Sequence, residues 1–278
     1  MQIKLSIIIP VYNEEKSLSL LATEIKSVMT GLAIPYEVIF VDDGSRDRSI
    51  TIIEELAKFD SAVRAIKLRR NYGQTAAMLA GIDHARGEIL IPMDADLQND
   101  PHDIYKFLEK MHEGYDVVSG WRKNRHDNFF SRKIPSRLAN FLISKITGVY
   151  LHDYGCTMKA YRTKLLREVR LYGEMHRFVP AYIAWHGAKI TEIVTNHRPR
   201  KYGQTKYGIS RTFRVILDLL TVKFFTKYST KPMHFFGKIG FYAFSFSLFS
   251  GLLAIYLRQV VGISFIETPL PLLTVFLV

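Results

Sequence analysis

With 278 residues and a formal net charge of +12 at pH 7, the chain suits one domain of roughly 200 to 230 residues plus an appendage. Its lone cysteine, Cys156, excludes an internal disulfide and fits a reducing compartment. The positive balance points to anionic partners, of which a membrane surface and a nucleic acid are the two to weigh.

Met1 to Lys4 lead directly into a strand pattern, so no secretory leader is expected. Apolar runs at 3–11, 38–41, 63–68, 89–93 and 117–119 alternate with helical patterns at 16–30, 50–58, 75–85 and 101–112. This rhythm predicts an α/β fold with a mostly parallel sheet covered by helices. In such open sheets, ligands bind at the carboxyl ends of the strands. Polar clusters fall at four of those ends: Pro10-Val11-Tyr12-Asn13-Glu14, Asp42-Asp43, Arg69-Arg70-Asn71-Tyr72-Gly73 and Asp94-Ala95-Asp96.

Asp94-Ala95-Asp96 ends its strand with two carboxylates one residue apart. Side chains at i and i+2 of an extended segment point the same way, so both can converge on one hard divalent cation and on a ligand that it holds. Gln98 lies two residues on, and Asp42-Asp43-Gly44-Ser45 supplies a second acidic strand end upstream. This is a metal and diphosphate site by position. Asp43 also reads as a cap for the Gly44-Ser45 turn and the helix after it.

Between Arg198 and Lys238, ten Lys and Arg accompany one acid, Asp218. Phe213, Val215, Ile216, Leu219, Leu220, Phe224 and Phe225 are interleaved with that charge, an amphipathic pattern that suits lipid headgroups rather than nucleic acid. Residues 239–257 are nineteen uncharged positions between Lys238 and Arg258, enough for a helix to cross a hydrocarbon core of about 30 Å. The expected plan is a globular domain at 1–207, an amphipathic juxtamembrane segment at 208–234 and a transmembrane helix at 235–258. The uncharged stretch 268–278 is too short to span and reads as the start of a second transmembrane helix, hence a multi-pass protein. The basic stretch before the first span places the large domain on the cytoplasmic side of the inner membrane.

Taken together, Ser6-Ile7-Ile8-Ile9-Pro10-Val11-Tyr12-Asn13-Glu14, Val41-Asp42-Asp43-Gly44-Ser45, Asn71-Tyr72-Gly73-Gln74 and Asp94-Ala95-Asp96-Leu97-Gln98 resemble family 2 glycosyltransferases of the GT-A fold. More closely, they resemble the polyprenyl-phosphate glycosyltransferases, which include dolichol-phosphate mannose synthase, bactoprenol glucosyltransferases and the undecaprenyl-phosphate aminoarabinose transferase. Asp153-Tyr154-Gly155-Cys156 and Gly203-Gln204-Thr205-Lys206-Tyr207 fit the last subgroup best. The match runs from Ser6 to about Tyr207, and the membrane segments that follow also fit.

The resemblance implies a Rossmann-like GT-A sheet with helices on both faces, followed by amphipathic juxtamembrane helices and C-terminal transmembrane helices. It also implies inverting, Mg2+- or Mn2+-dependent transfer of a sugar from a nucleotide diphosphate, with UDP favoured, to polyprenyl phosphate. By the same resemblance, Asp96 and Gln98 would ligate the metal, with Asp94 near the ribose or behind the metal ligands. Asp42 or Asp43 would read base and ribose, Asp42 being favoured for the base. Pro10, Tyr12, Glu14, Asn71, Gly73 and Ala95 would line the donor pocket. Arg200 and Lys206 lie in a loop like one that folds over the diphosphate, although attraction to lipid headgroups also accounts for them.

Arg122, Arg132 and Ser136 match positions that hold acceptor phosphate, where a guanidinium fork donates in parallel. Asp153 stands two residues before Gly155, whereas relatives carry an acid at the position of Cys156. An acceptor phosphate is largely ionised at neutral pH, its second pKa being about 6, so Asp153 would orient more than abstract. Cys156 reads as a small buried residue. The rival readings are a transferase of the same fold with another lipid or hydroxyl acceptor, and a non-catalytic, membrane-tethered nucleotide-sugar binder. No nucleic acid is expected, and a homo-oligomer is left open.

Overall fold

The structure, a computed structural model, describes residues 2–123, 134–167, 175–199, 201–202, 219, 221–224, 228, 231–264 and 268–269. The chain divides into two compact units, Met1–Val222 and Lys223–Val278.

The first unit is built on a seven-stranded sheet in the order β3-β2-β1-β4-β6-β5-β7. Its strands are β1 (Leu5–Val11), β2 (Tyr36–Asp42), β3 (Val63–Lys67), β4 (Ile89–Pro92), β5 (Val117–Trp121), β6 (Lys159–Arg162) and β7 (Ile190–Val194). β1, β2, β3 and β4 pair in parallel, β5 pairs in parallel with β7, and β6 runs antiparallel between β4 and β5. The mostly parallel sheet expected from the rhythm of the sequence is thus present. The short strands β6 and β7 were not legible in that rhythm.

Helices α1 (Leu18–Leu32), α2 (Ser49–Phe59), α3 (Gln74–His84), α4 (Ile104–His112), α5 (Ile134–Thr147), α6 (Thr163–Arg167) and α7 (Val179–Trp185) complete the unit. β1 is buried on both faces, as its run of isoleucines requires of an interior parallel strand. Ile7 and Ile9 join one core with Leu21 and Ile25 of α1 and Phe107 of α4. Ile8 points the other way, to Ala77, Met78 and Ile82 of α3. That second contact is tight, because a Cβ on Gly81 would lie 2.4 Å from Cγ2 of Ile8. The helix predicted over 101–112 begins as a separate 3-10 turn, Pro101–Asp103, whose His102 amide donates to the Asp100 carboxylate.

In the second unit, the helix Pro232–Tyr256 continues through a π-helical turn to Val261. It starts earlier than the span expected at 235–258, with Pro232 at its first position, where a fixed φ suits a helix start. The most apolar eighteen-residue stretch within Pro232–Val261 has a mean hydropathy of 1.6. Phe241, Phe244, Phe249 and Leu252 stand exposed along them. This is one helix long and apolar enough to cross a membrane; nearly all of 268–278 lies outside the described residues.

Candidate active site

From β1 the chain steps to β2 and β3 on one side, then crosses to β4 on the other. The carboxyl ends of β1 and β4 therefore flank a topological switch point, where open α/β sheets bind ligands. Both acidic strand ends and the Pro10-to-Glu14 segment lie along this rim. The loops after β1 and β2 are joined across it. The Asn13 amide donates to Ser45 Oγ at 2.9 Å, the Arg46 amide to Asn13 Oδ1 at 2.7 Å, and the Glu14 amide to Ser49 Oγ at 2.9 Å. Asn13 adopts a left-handed φ of 53°, a conformation that asparagine tolerates better than most residues.

The two acids ending β2 divide the work of shaping that rim. Asp42 is fully buried and accepts from the Ser45 amide at 3.3 Å, so the turn-capping role read for Asp43 belongs to Asp42. Asp43 instead accepts from the amides of Tyr72 at 2.7 Å and Gly73 at 2.8 Å. Burial, together with the neighbouring Asp42, raises the Asp43 carboxyl above its ordinary value despite those two amides. Asp43 thereby fixes the loop carrying Asn71 and the start of α3. Gly73 takes a φ of 95° there, which favours glycine. Arg70 lies over the exposed Tyr72 ring, 4.9 Å from its centre.

After β4, the Asp94 amide donates to Asn99 Oδ1 at 3.0 Å, and Asp94 Oδ1 accepts from Gln74 Nε2 at 2.9 Å. Ala95 is buried, as is Asp96, whose Oδ1 accepts from the Gln98 amide at 3.1 Å across a left-handed Leu97. The side-chain Nε2 of Gln98 lies 3.5 Å from Nε2 of His197, which sits opposite through the bridge between Asn99 and His197. Arg198 anchors that segment, donating to Glu24 at 2.8 Å and Asp100 at 2.7 Å. Burial would raise the Asp100 carboxyl, yet hydrogen bonds from Asn196, His102 and Arg198 bring it down to about 2.

Among the described residues, no group of three or more His, Cys, Asp or Glu side chains could hold a metal. Two carboxylates with a nearby amide and imidazole nevertheless suit Mg2+ or Mn2+. Such ions take one or two protein carboxylates and complete their sphere with water and substrate phosphate.

Beyond β5, Arg122 donates from Nε to Asp153 Oδ2 at 2.7 Å and from Nη2 to Oδ1 at 3.0 Å. Burial works against the guanidinium, but the Asp153 charge more than offsets it, with a further contribution from Asp94, and the pKa of Arg122 rises. A second contact runs beside this pair. The Trp121 and His152 rings stack at 4.1 Å and 16°, and His152 Nδ1 lies 2.8 Å from Glu192 of β7. Gly155 packs closely against this pair, since a Cβ there would meet Arg122 Nη2 at 3.2 Å and Asp153 Oδ1 at 3.4 Å. Cys156 is buried, which pushes its thiol pKa up and suits a packing role.

The structure thus gathers Tyr12, Glu14, Asp42, Asp43, Asn71, Gly73, Asp94, Ala95, Asp96 and Gln98 on the rim of the switch point, while Arg122 and Asp153 pair with each other beyond β5, where Arg122 feels the charge of Asp94. Arg132, Arg200 and Lys206 lie outside the described residues, and Ser136 is described only as part of the α5 backbone. Gln74, Trp121, His152 and His197 escaped the sequence reading. Gln74 had a signal in the Asn71-to-Gln74 motif; His197 is more than ninety residues from its partner.

Residues 6–170 match the model of glycosyl transferase family 2. The dodecaprenyl-phosphate galacturonate synthase of Rhizobium johnstonii is 48% identical over 86% of this chain and 72% of its own length. The undecaprenyl-phosphate 4-deoxy-4-formamido-L-arabinose transferase of Pseudomonas fluorescens is 41% identical over 85% and 68%. Among solved structures, glucosyl-3-phosphoglycerate synthase from Mycobacterium tuberculosis, determined with Mn2+, UDP and phosphoglyceric acid, superposes with a TM-score of 0.59 at 17% identity, covering 79% of this chain and 78% of that one. At that identity the likeness establishes the GT-A-like fold alone. The family match over most of the globular unit, and the relatives' identity across more than four-fifths of the chain, make it a glycosyltransferase: the chain belongs to glycosyl transferase family 2.

Proposed function

We propose that this glycosyltransferase moves a sugar from a nucleotide diphosphate, UDP in the first instance, to a polyprenyl phosphate at the cytoplasmic face of the inner membrane, with inversion at the sugar carbon. The carrying observation is the two-point Arg122–Asp153 pair just beyond β5, which holds a buried cation in a fixed orientation past a strand end of the same sheet. The relatives' names supply the sugar classes to try first, galacturonate and 4-deoxy-4-formamido-L-arabinose.

Asp96 and Gln98 would hold a divalent cation, with Asp94 beside them. When bound, Mg2+ or Mn2+ would neutralise charge on the departing nucleotide diphosphate. Asp42 and Asp43 shape the base and ribose end of the pocket through the Ser45, Tyr72 and Gly73 amides. Tyr12 and Glu14 stand on the same rim. Arg122 commits Nε and Nη2 to Asp153, and its Nη1 edge remains to meet an acceptor phosphate. Asp153 holds that guanidinium in register. A phosphate dianion attacks the sugar carbon directly, so no enzyme nucleophile is needed. Arg132 and Ser136 complete the acceptor side, Arg200 and Lys206 the diphosphate side.

In this reading, residues 1–207 form the catalytic domain, 208–234 lie along the membrane surface, 235–258 cross it, and 268–278 begin a second span. Incubating membranes with a panel of radiolabelled nucleotide sugars and undecaprenyl phosphate, then extracting labelled lipid, tests the proposal. Labelled lipid from one donor supports it, and label appearing only in water-soluble product overturns it.

A further inference from the structure

Lys159, at the start of β6, is a fully enclosed ammonium that the transfer reaction does not use. Its side chain is 2% exposed as a residue, and its Nζ donates to the carbonyls of Tyr154, at 3.1 Å, and Cys156. Among the described residues, no carboxylate lies within ion-pair distance of Nζ. A buried charge without such a partner is costly, and a Met or Leu would fill the same space without that cost. The two carbonyls belong to the turn that begins at Asp153, and Asp153 carries the Arg122 guanidinium. Gly155 sits between them, where an added Cβ would crowd Arg122 Nη2 at 3.2 Å.

We propose that Lys159 is a positioning residue: its ammonium holds the 154–156 turn from beneath, keeps Asp153 in place and through it aims Arg122 at the acceptor phosphate. This rests on the acceptor reading given above. The charged and titratable groups around Lys159 are Cys156, Asp153, Arg122 and Arg177; burial and the two arginines lower its pKa, to about 8, while Asp153 and Cys156 resist that fall. A neutral amine is a weaker donor to two carbonyls, so loss of the proton loosens the turn.

The full chain in detergent or nanodiscs offers a readout independent of transfer, because Cys156 is the only thiol and its own carbonyl is one that Lys159 holds. In Lys159→Met, modification of Cys156 by a small thiosulfonate should run roughly tenfold faster than in the parent at an unchanged melting midpoint, and Lys159→Arg should restore protection. Transfer should lose roughly tenfold in kcat while calorimetric donor affinity stays within about threefold. The Lys159→Met/Asp153→Asn double variant should be no worse than Asp153→Asn alone.

Unchanged Cys156 reactivity in Lys159→Met, or losses that multiply in the double variant, would overturn the proposal. If Lys159→Met does not fold, Lys159→Gln carries the same thiol measurement with the same two outcomes. If the parent transfers to no polyprenyl phosphate, the acceptor assignment fails, and the thiol rates still decide whether Lys159 holds the turn.

Discussion

Arg122 and Asp153 meet edge to edge, two nitrogens on two carboxylate oxygens at 2.7 and 3.0 Å, with side chains only 13% and 4% exposed. One residue back in each segment, Trp121 and His152 stack. The guanidinium therefore approaches the site already oriented, and the order of its ordering precedes any ligand.

That pairing predicts a non-additive stability pattern. Arg122→Ala strands the Asp153 carboxylate in a buried position and should destabilise the protein by about 3–5 kcal/mol, whereas Arg122→Ala/Asp153→Asn should recover a large part of the loss. Denaturant unfolding of the three proteins measures it. Both variants should transfer poorly, so recovery of stability without recovery of activity separates the structural role from the phosphate-binding one.

Asp96→Asn keeps an oxygen for the Gln98 amide but removes the charge. Transfer should fall at least about a hundredfold, roughly 2.7 kcal/mol of barrier, while the melting midpoint stays within about 3 °C. Rates in saturating Mn2+ and Mg2+ check this, and a residual rate above about a tenth of the parent's would remove Asp96 from the metal site.

At the opposite end of the sheet, Glu37 predicts a pH dependence of stability. Burial raises its carboxyl, but the Ser6 hydroxyl, the Arg86 amide and the Arg64 and Arg86 guanidinium groups outweigh this and hold it below its ordinary 4.5. A depressed carboxylate stabilises the fold fully above that ordinary value and loses its contribution as pH falls through the lower folded one. Unfolding midpoints should therefore drop between neutral pH and about pH 3. Glu37→Gln should be weaker by about 1.5–3 kcal/mol at pH 7 and show a flatter profile.

Topology is tested with single cysteines in a Cys156→Ala background. A Cys at Gly262 should react with an impermeant reagent added to intact cells, and one at Lys201 only after permeabilisation. The reverse pattern would place the donor site away from the cytoplasmic nucleotide pool.

Much of this was legible because period and punctuation are local properties. The buried run through Ile7, Ile8 and Ile9 announces an interior strand, and Asp94-Ala95-Asp96 marks its neighbour's end. What the sequence hid is non-local. Lys-Ala-Tyr-Arg does not read as a strand, and Lys159–Arg162 becomes one because β4 and β5 both supply ladders to it. Asp43 reads as a turn cap until the fold brings the Tyr72 and Gly73 amides to it from thirty residues away. His197 and His152 carry no spacing signal, since their partners Gln98 and Trp121 come from other strand ends.

The antiparallel β6 has a consequence for how the chain is made. β5 leaves the ribosome some forty residues, and β4 nearly seventy, before the strand that joins them. Until Lys159–Arg162 arrives, the growing sheet exists in two pieces, and β4 presents an unpaired edge with the donor loops already attached. The half built on β1 to β4 can therefore take shape first, and β6 unites it with β5, the strand leading to Arg122, before β7 covers the other edge of β5. A nascent chain stalled before Arg162 would expose that edge to pairing with other chains, which makes this short, charged strand the point at which the β4 edge becomes safe from aggregation.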